Sequence, residues 1–214
     1  MPNGNVDPYA TLTLIARYLS AIGTVAVAIL AIWGDCIRSK VVPPKLRLSV
    51  HNGRGTVTRL ASGPRTIFYH LKVSNSRPWA PARNCRIMLK QIHRRGVDQQ
   101  FHPVPLVVPL QFVWSPGGFE PPLANVASDQ TLDLGFLTDG DVHFVPRLYV
   151  LLDDFEGFVA QNECVRFSLE IVADGYRSQR YQVFEVAWNG RWSDNLDQMA
   201  QNLKIREIVP DEVG

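Results

Sequence analysis

The chain has few cysteines and little excess charge, and both features limit what it can be. Its 214 residues include three cysteines, Cys36, Cys85 and Cys164, which cannot all pair within one molecule. The formal net charge is +2, and no run of Lys or Arg exceeds the pair Arg94-Arg95. Because nucleic-acid binding needs a concentrated basic surface, the sequence predicts no nucleic-acid partner.

Motifs for metal binding and catalysis are also missing. The five histidines show no ligand spacing, and the sequence contains no Cys-x-x-Cys, His-Glu-x-x-His or Gly-x-Ser-x-Gly motif. The acidic loops at 139–141 and 153–157 lack the alternating ligands of a calcium loop. We therefore predict no catalytic residue, metal or cofactor, and an enzyme built on the acidic loops is kept as an alternative.

One long uncharged run is present, from Leu19 to Trp33. Extended back to Thr13, it can cross a bilayer core of about 30 Å at about 1.5 Å per helical residue. A cleaved signal peptide and a buried core helix are the alternatives. Residues 1–16 have no Lys or Arg, which argues against a signal peptide, and the near absence of polar residues argues against a buried helix.

Charge around this run predicts its orientation, because basic flanks are retained in the cytoplasm. One base, Arg17, lies before the uncharged run, and four bases follow it: Arg38, Lys40, Lys45 and Arg47. We expect a single-pass protein of the inner membrane with its N-terminus outside and its main domain cytoplasmic. The predicted segments are an extracytoplasmic N-terminus at 1–12, a transmembrane helix at 13–37, a basic, proline-containing linker at 38–45 and a β-domain at 46–214.

Small residues recur on one face of the predicted helix. Ser20, Thr24 and Ala28 follow at intervals of four, a spacing that allows two membrane helices to approach closely. The face predicts a homo-oligomer through the transmembrane helix, although lone anchors also carry small residues.

Alternating apolar and polar residues dominate the rest of the chain and predict β-strands. Glycine-rich turn signals separate the candidates, and "HNGRG" predicts a hairpin between the first two. The predicted strands are 46–50, 56–60, 65–75, 85–92, 110–114, 131–137, 147–152, 164–173 and 180–188. This pattern is typical of a mainly β protein, folded as a β-sandwich or a small barrel.

The C-terminal part predicts a short helix. Asn189-Gly190 is a hairpin signal, and Ser193 or Asp194 is the expected N-cap. Apolar residues then follow with helical spacing at Leu196, Met199, Ala200 and Leu203. We expect this helix to close one end of the sandwich, with an edge strand at 204–208.

Strand parity separates two of the cysteines. Cys85 shares a strand face with Ile87 and Leu89, whereas Cys164 lies on the face opposite Val165 and Phe167. We therefore predict that Cys85 and Cys164 form no disulfide, as expected in a reducing cytoplasm.

Aromatic residues cluster around a proline-rich stretch at 101–122. They are Phe101, Phe112, Trp114 and Phe119. Prolines at 103, 105 and 109 cannot donate to a sheet ladder, so the segment is expected at an edge or as a covering loop. Two interpretations stay open: a hydrophobic recognition surface, or aromatic side chains packed over an open end of the sandwich.

The stretch "YHLKVSNSRPWAPARNCRIML" resembles the opening strand pair of prokaryotic immunoglobulin-like domains. The matching positions are Val73, Asn75, Ala82 and Asn84, and "SDQTLDLGFL" is similar to a later strand of such domains. The resemblance covers residues 65–137 and implies an Ig-like β-sandwich, without implying an activity.

Two functional hypotheses therefore accompany the enzyme alternative. In the first, the lipid bilayer holds the chain and the cytosolic sandwich binds an unknown protein partner or small-molecule ligand without catalysis. In the second, the chain is an oligomerising, membrane-disrupting effector whose β-domain senses a signal. That order of elements is similar to certain bacterial antiphage defence effectors that sense cyclic nucleotides, although no motif residue matches.

Overall fold

A computed structural model describes residues 8–41, 43–59, 63–117 and 122–208 of the chain. Two compact units are present, Met1–Pro43 and Pro44–Gly214. The first contains one helix and the second contains an antiparallel β-domain with a short C-terminal helix, in agreement with the predicted mainly β fold.

The N-terminal helix, α1 (Pro8–Val41), is 34 residues long and extends past the predicted span at both ends. Its segment Leu12–Ile32 covers 21 residues with a mean hydropathy of 2.0, and its side chains are exposed. This segment is long and apolar enough to cross a membrane, and a signal sequence near an N-terminus would have the same properties. The helix ends shortly before Pro43, as expected because proline lacks the N–H that a helix requires.

Within its described residues, the β-domain contains fifteen strands and one helix. In chain order they are β1 (Leu46–Val50), β2 (Thr56–Arg59), β3 (Arg65–Asn75), β4 (Ala82–Arg95), β5 (Phe101–Val104), β6 (Leu110–Gln111), β7 (Val113–Trp114), β8 (Ala124–Val126), β9 (Asp129–Thr138), β10 (His143–Pro146), β11 (Val159–Ala160), β12 (Glu163–Ala173), β13 (Tyr176–Arg177), β14 (Gln182–Trp188), α2 (Leu196–Asn202) and β15 (Leu203–Ile208).

The strands form two antiparallel sheets. The seven-stranded sheet has the order β1-β3-β9-β10-β11, with β2 paired to β3 and β7 paired to β9. The eight-stranded sheet has the order β15-β14-β12-β4-β5, with β13 paired to β12 and both β6 and β8 paired to β4. The strand predicted at 204–208 therefore lies at a sheet edge, as β15.

A single hydrophobic core draws side chains from both sheets, which is consistent with a β-sandwich. Leu71 and Val73 of β3 are fully buried in it, as are Phe167 and Leu169 of β12. These residues alternate with less buried neighbours in β3, as the period of two requires. In the central strand β12 both faces are largely covered, so the alternation in burial is weaker there.

Three local predictions were wrong. Residues 147–152 form no regular strand, and Leu148 makes one isolated bridge, to Phe112. β1 and β2 form no hairpin with each other, because both pair with β3. The Asn189-Gly190 turn, with Gly190 at φ +80°, leads to α2 rather than directly to a second strand.

The N-cap of α2 also lies beyond both predicted caps, one residue after Asp194 and two after Ser193. Asn195 is the N-cap, and its side chain accepts hydrogen bonds from the backbone N–H groups of Asp197 and Gln198. Ser193 supports this cap, since its Oγ accepts from the Asn195 N–H at 3.1 Å and donates to Gln198 Oε1 at 2.9 Å. Met199 is buried beneath the helix, on the predicted apolar face.

Candidate functional site

A bulge beside the central strand of the eight-stranded sheet creates the candidate site. The N-terminal part of β12 pairs with β14, and its C-terminal end pairs with β13. Ser178 and Ile171 exchange two hydrogen bonds, and Leu169 is in register with Gln182. Glu170 is therefore left opposite the three residues at 179–181. Extra residues of this kind bend a strand and redirect its side chains, and such bulges are frequent next to binding sites.

A shallow, open cleft of about 560 Å³ lies at the bulge, on the face of the sheet that points away from the core. Glu170 lies on this outer face because its neighbours Leu169 and Ile171 are fully buried in the core. The cleft is lined by Glu170, Arg177, Ser178, Gln179, Arg180 and Tyr181.

The Glu170 carboxylate is almost completely buried, with 5% of the residue exposed. Its Oε1 lies 3.2 Å from Nε of Arg177, and its Oε2 lies 3.5 Å from Nζ of Lys90. Within the described part of the chain, Oε2 has no hydrogen-bond partner. A buried carboxylate oxygen without a donor is costly, and the nearby charge of Lys90 offsets part of this cost.

The cleft carries an excess of positive charge. Lys90 and Arg177 both contact the Glu170 carboxylate, so its single negative charge is already compensated. Arg180 is exposed and forms no ion pair within the described residues. The ring of Tyr181, which is 41% exposed, lies at the same cleft. The arrangement is suited to an anionic ligand.

A second charged cluster shares the outer face of the eight-stranded sheet and is fully satisfied. Glu185 accepts hydrogen bonds from Nε of Arg166 at 3.0 Å and from Nε of Arg206 at 2.8 Å. Burial raises the pKa of Glu185, but the two arginines outweigh burial, so the pKa is lowered overall. Burial and the charge of Arg166 lower the pKa of His93 beside this cluster. These contacts crosslink β12, β14 and β15.

The structure places the described members of the predicted aromatic surface in different surroundings. Phe112 and Trp114 are fully buried in the core. Phe101 is covered by the Arg166 guanidinium, which lies 3.7 Å from the ring centroid. Phe119 lies outside the described residues. The segment 110–114 crosses between sheets, since β6 pairs with β4 and β7 pairs with β9, and this crossing places Phe112 and Trp114 in the core.

The predicted helix-packing residues lie together on α1. Ser20, Thr24 and Ala28 are all exposed, and Oγ1 of Thr24 donates to the backbone oxygen of Ser20 at 2.9 Å. This bond satisfies the threonine hydroxyl within its own helix, so it would add no unpaired polar group to an apolar environment.

Two other polar arrangements are structural. His70 Nδ1 lies 2.8 Å from Asp133 Oδ1 and links β3 to β9, and no hydroxyl group among the described residues hydrogen bonds to this pair. A smaller cleft of about 340 Å³ contains Arg94, but this side chain donates to the backbone oxygens of Glu156 and Phe158. Within the described residues, no group of three or more His, Cys, Asp or Glu side chains could hold a metal ion.

Sequence reasoning did not identify Glu170, Arg177 or Arg180. The strand predicted at 180–188 included the last two residues of the bulge, whereas β14 begins at Gln182. One signal was available: the polar run Arg177-Ser-Gln-Arg180 interrupts the alternation directly after the Asp174-Gly175 turn. An acidic residue inside the apolar run "SLEIV" also called for a buried partner.

Comparisons with known proteins add no relative from which a function could be transferred. The chain matches no protein-family model, no curated protein and no solved structure.

Proposed function

We propose that the chain is a single-pass membrane protein whose β-sandwich domain binds a small ligand and is not an enzyme. The membrane part of the proposal is supported by α1. Its apolar segment of 21 residues has exposed side chains, and at about 1.5 Å per residue such a segment matches a hydrocarbon core of about 30 Å. Apolar side chains of this number need a non-aqueous environment.

The orientation follows from the charge of the flanking residues. Arg38, Lys40 and Lys45 follow the apolar segment, and Arg17 lies inside it near its N-terminal end. Basic flanks remain on the cytoplasmic side during insertion. We therefore place the β-domain in the cytoplasm, beneath the inner membrane, and the N-terminus outside.

The observation that carries the ligand-binding role is the cleft at the 179–181 bulge. It combines a buried carboxylate that Lys90 and Arg177 hold with an exposed arginine, Arg180, that has no ion pair within the described residues. The exposed guanidinium groups of Arg177 and Arg180 can exchange their contacts with water for contacts with an anionic ligand.

Equilibrium dialysis of the full-length chain in detergent micelles against a metabolite extract tests this role. We expect at least one small molecule to be enriched by the wild-type chain and not by Gln179→Trp, because an indole at this exposed lining position fills the cleft. Gln201→Trp, at an exposed position on α2, is the matched control and should behave as wild type. Equal enrichment by all three chains, or none, would exclude the cleft as the binding site.

A further inference from the structure

We propose that the outer face of the eight-stranded sheet binds the anionic surface of the membrane that holds α1. The outer face consists of the side chains of β4, β5, β12, β13, β14 and β15 that point away from the core. The inference rests on the proposed membrane anchor and not on the ligand-binding cleft.

The described residues of the outer face carry a large excess of positive charge. Each charged residue alternates along its strand with core residues or lies in register with an outer-face residue of a neighbouring strand. Seven bases against two acids leave an excess of five positive charges, with histidine counted as neutral. The bases are Arg86, Lys90, Arg95, Arg166, Arg177, Lys204 and Arg206, and the acids are Glu170 and Glu185.

The solvent side of this face is more basic than the count alone indicates. Glu170 and Glu185 are almost completely buried, and an exposed arginine that pairs with each of them extends beyond it into solvent. Three further bases are exposed and form no ion pair within the described residues: Arg86, Arg95 and Lys204. A partner that approaches this face therefore meets cations before it meets either carboxylate.

The outer face of the seven-stranded sheet has no such excess. Its described strand residues include two bases, Arg47 and Lys72, and two acids, Asp129 and Asp133. The basic excess is therefore a property of one face and not of the whole chain, whose formal net charge is only +2. No run of bases in the sequence predicts it, because the face is assembled from separate strands.

An anionic lipid surface complements this face and lies within its reach. Residues 33–45 connect the apolar segment to β1, and even a fully extended connection would keep the start of the domain within about 50 Å of that segment. A tether of this length raises the effective concentration of the membrane surface around the domain. The anionic lipids of a cytoplasmic leaflet attract clustered bases close to that surface.

Nucleic acid is the other large polyanion that a basic face could bind. Proteins that bind single strands combine bases with exposed aromatic rings on which nucleotides stack. The Phe101 ring on this face is covered by the Arg166 guanidinium, which lies 3.7 Å from the ring centroid. We therefore assign the face to lipid.

Chemical footprinting of the full-length chain in nanodiscs measures contact at this face. Phenylglyoxal modifies exposed arginines, and mass spectrometry gives the modification rate of each one. A face that is docked nine-tenths of the time should react about tenfold more slowly. We expect such slowing at Arg86 and Arg95 in phosphatidylglycerol nanodiscs relative to phosphatidylcholine nanodiscs, which have no net charge. It should disappear at about 1 M salt, where the screening length is about 3 Å.

A pair of charge variants tests whether the face or the net charge is responsible. Each base near an anionic leaflet contributes a factor of about five in affinity, so Arg86→Gln with Lys204→Gln should weaken docking about 25-fold and restore the rate at Arg95. Arg147→Gln with Arg191→Gln removes the same charge outside the face and should leave the slowing at Arg95 intact. All four substituted residues are exposed and form no ion pair within the described residues, so both variants should fold.

The outcomes separate this inference from the proposals on which it builds. Equal rates at Arg95 in the two lipids, or slowing that survives Arg86→Gln with Lys204→Gln, would overturn the inference and leave the anchor and the ligand-binding cleft standing. Slowing by an added oligonucleotide in phosphatidylcholine, with none by phosphatidylglycerol, would assign the face to nucleic acid instead. A chain that does not enter nanodiscs would refute the anchor and this inference together.

Discussion

At the scale of single residues, two buried carboxylates on the outer face of the eight-stranded sheet differ in their hydrogen-bond partners. Glu185 and Glu170 are almost equally buried. Glu185 is completed by two arginine hydrogen bonds, whereas Glu170 keeps one oxygen without a hydrogen-bond donor within the described residues. The same residue type therefore has its hydrogen bonds satisfied at one position and is held mainly by ion pairs, to Lys90 and Arg177, at the other.

The Glu185 contacts predict a pH-dependent stability. Because the pKa of Glu185 is lowered in the folded chain, its stabilisation is present above the unfolded-state pKa of about 4.3 and is lost as pH falls through the lower folded-state pKa. Glu185→Gln should reduce the free energy of unfolding near pH 7 by about 1.5–3 kcal/mol, the value of hydrogen bonds to a charged group. The difference from wild type should shrink at lower pH.

Thermal unfolding of the full-length chain, followed by circular dichroism from pH 7 to below the folded-state pKa of Glu185, measures the difference in stability between Glu185→Gln and wild type. Glu207→Gln on β15 is the control, since Glu207 pairs with Arg47 at 3.4 Å in an exposed ion pair. Such pairs contribute about 0–1 kcal/mol, so this variant should differ little from wild type. A Glu185→Gln chain as stable as wild type at pH 7 would contradict the assigned role.

At the scale of elements, the alternation of apolar and polar residues was sufficient to predict a strand where one face of that strand is buried and the other is not. The predicted strands at 46–50 and 65–75 coincide with β1 and β3. The strand prediction failed at 147–152, where the continuous apolar run 148–152 leaves Tyr149, Val150 and Leu151 exposed. The backbone of this segment makes scattered hydrogen bonds to β6, β7 and β9. An unbroken apolar run fixes neither a period nor a face, so it does not specify a strand.

The candidate site was beyond this kind of reasoning for a related reason. Its cleft depends on which residues of β13 and β14 lie opposite Glu170, and a register between strands is not written in either strand alone.

Strand parity did succeed for the cysteines: Cys85 and Cys164 are both free and buried. Burial raises the pKa of Cys85 to about 12 and contributes most to raising that of Cys164 to about 11, so neither thiol is poised to react.

The small-residue face of α1 gives a prediction that separates an anchor from a membrane-disrupting effector. Thr24→Leu combined with Ala28→Leu keeps the segment apolar, so insertion should persist. The larger side chains should, however, keep a second helix from approaching closely at this face. For a simple anchor we expect no loss of membrane potential when the wild-type chain is overexpressed, and no change with the double variant. A potential-sensitive dye and membrane fractionation measure the two properties.

The paired substitution Val25→Leu and Ile29→Leu, which exchanges large apolar residues on the same helix, is the matched control. Depolarisation by wild type that persists in this control and disappears in Thr24→Leu/Ala28→Leu would favour the effector hypothesis. It would also identify the Ser20, Thr24 and Ala28 face as the contact between helices.

At the scale of the whole molecule, the proposal requires the β-domain to lie on one defined side of a membrane. A cleaved signal sequence would instead release the domain on the opposite side. The two arrangements differ in the fate of residues 1–12 and in which compartment the loops of the domain face. The buried Cys85 and Cys164 allow a labelling experiment, because maleimides react with accessible thiolates and these thiols are neither accessible nor ionised near neutral pH.

In a Cys36→Ser background, Val97→Cys places a thiol at a fully exposed position between β4 and β5, and Asn3→Cys places one before α1. If the N-terminus is outside and the domain is cytoplasmic, a membrane-impermeant maleimide should label Asn3→Cys in intact spheroplasts and label Val97→Cys only after permeabilisation. Both chains should stay in the membrane pellet after a carbonate wash. Labelling of Val97→Cys in intact spheroplasts, together with a shortened chain that has lost the Asn3→Cys label, would show a cleaved signal and place the β-domain outside the cytoplasm.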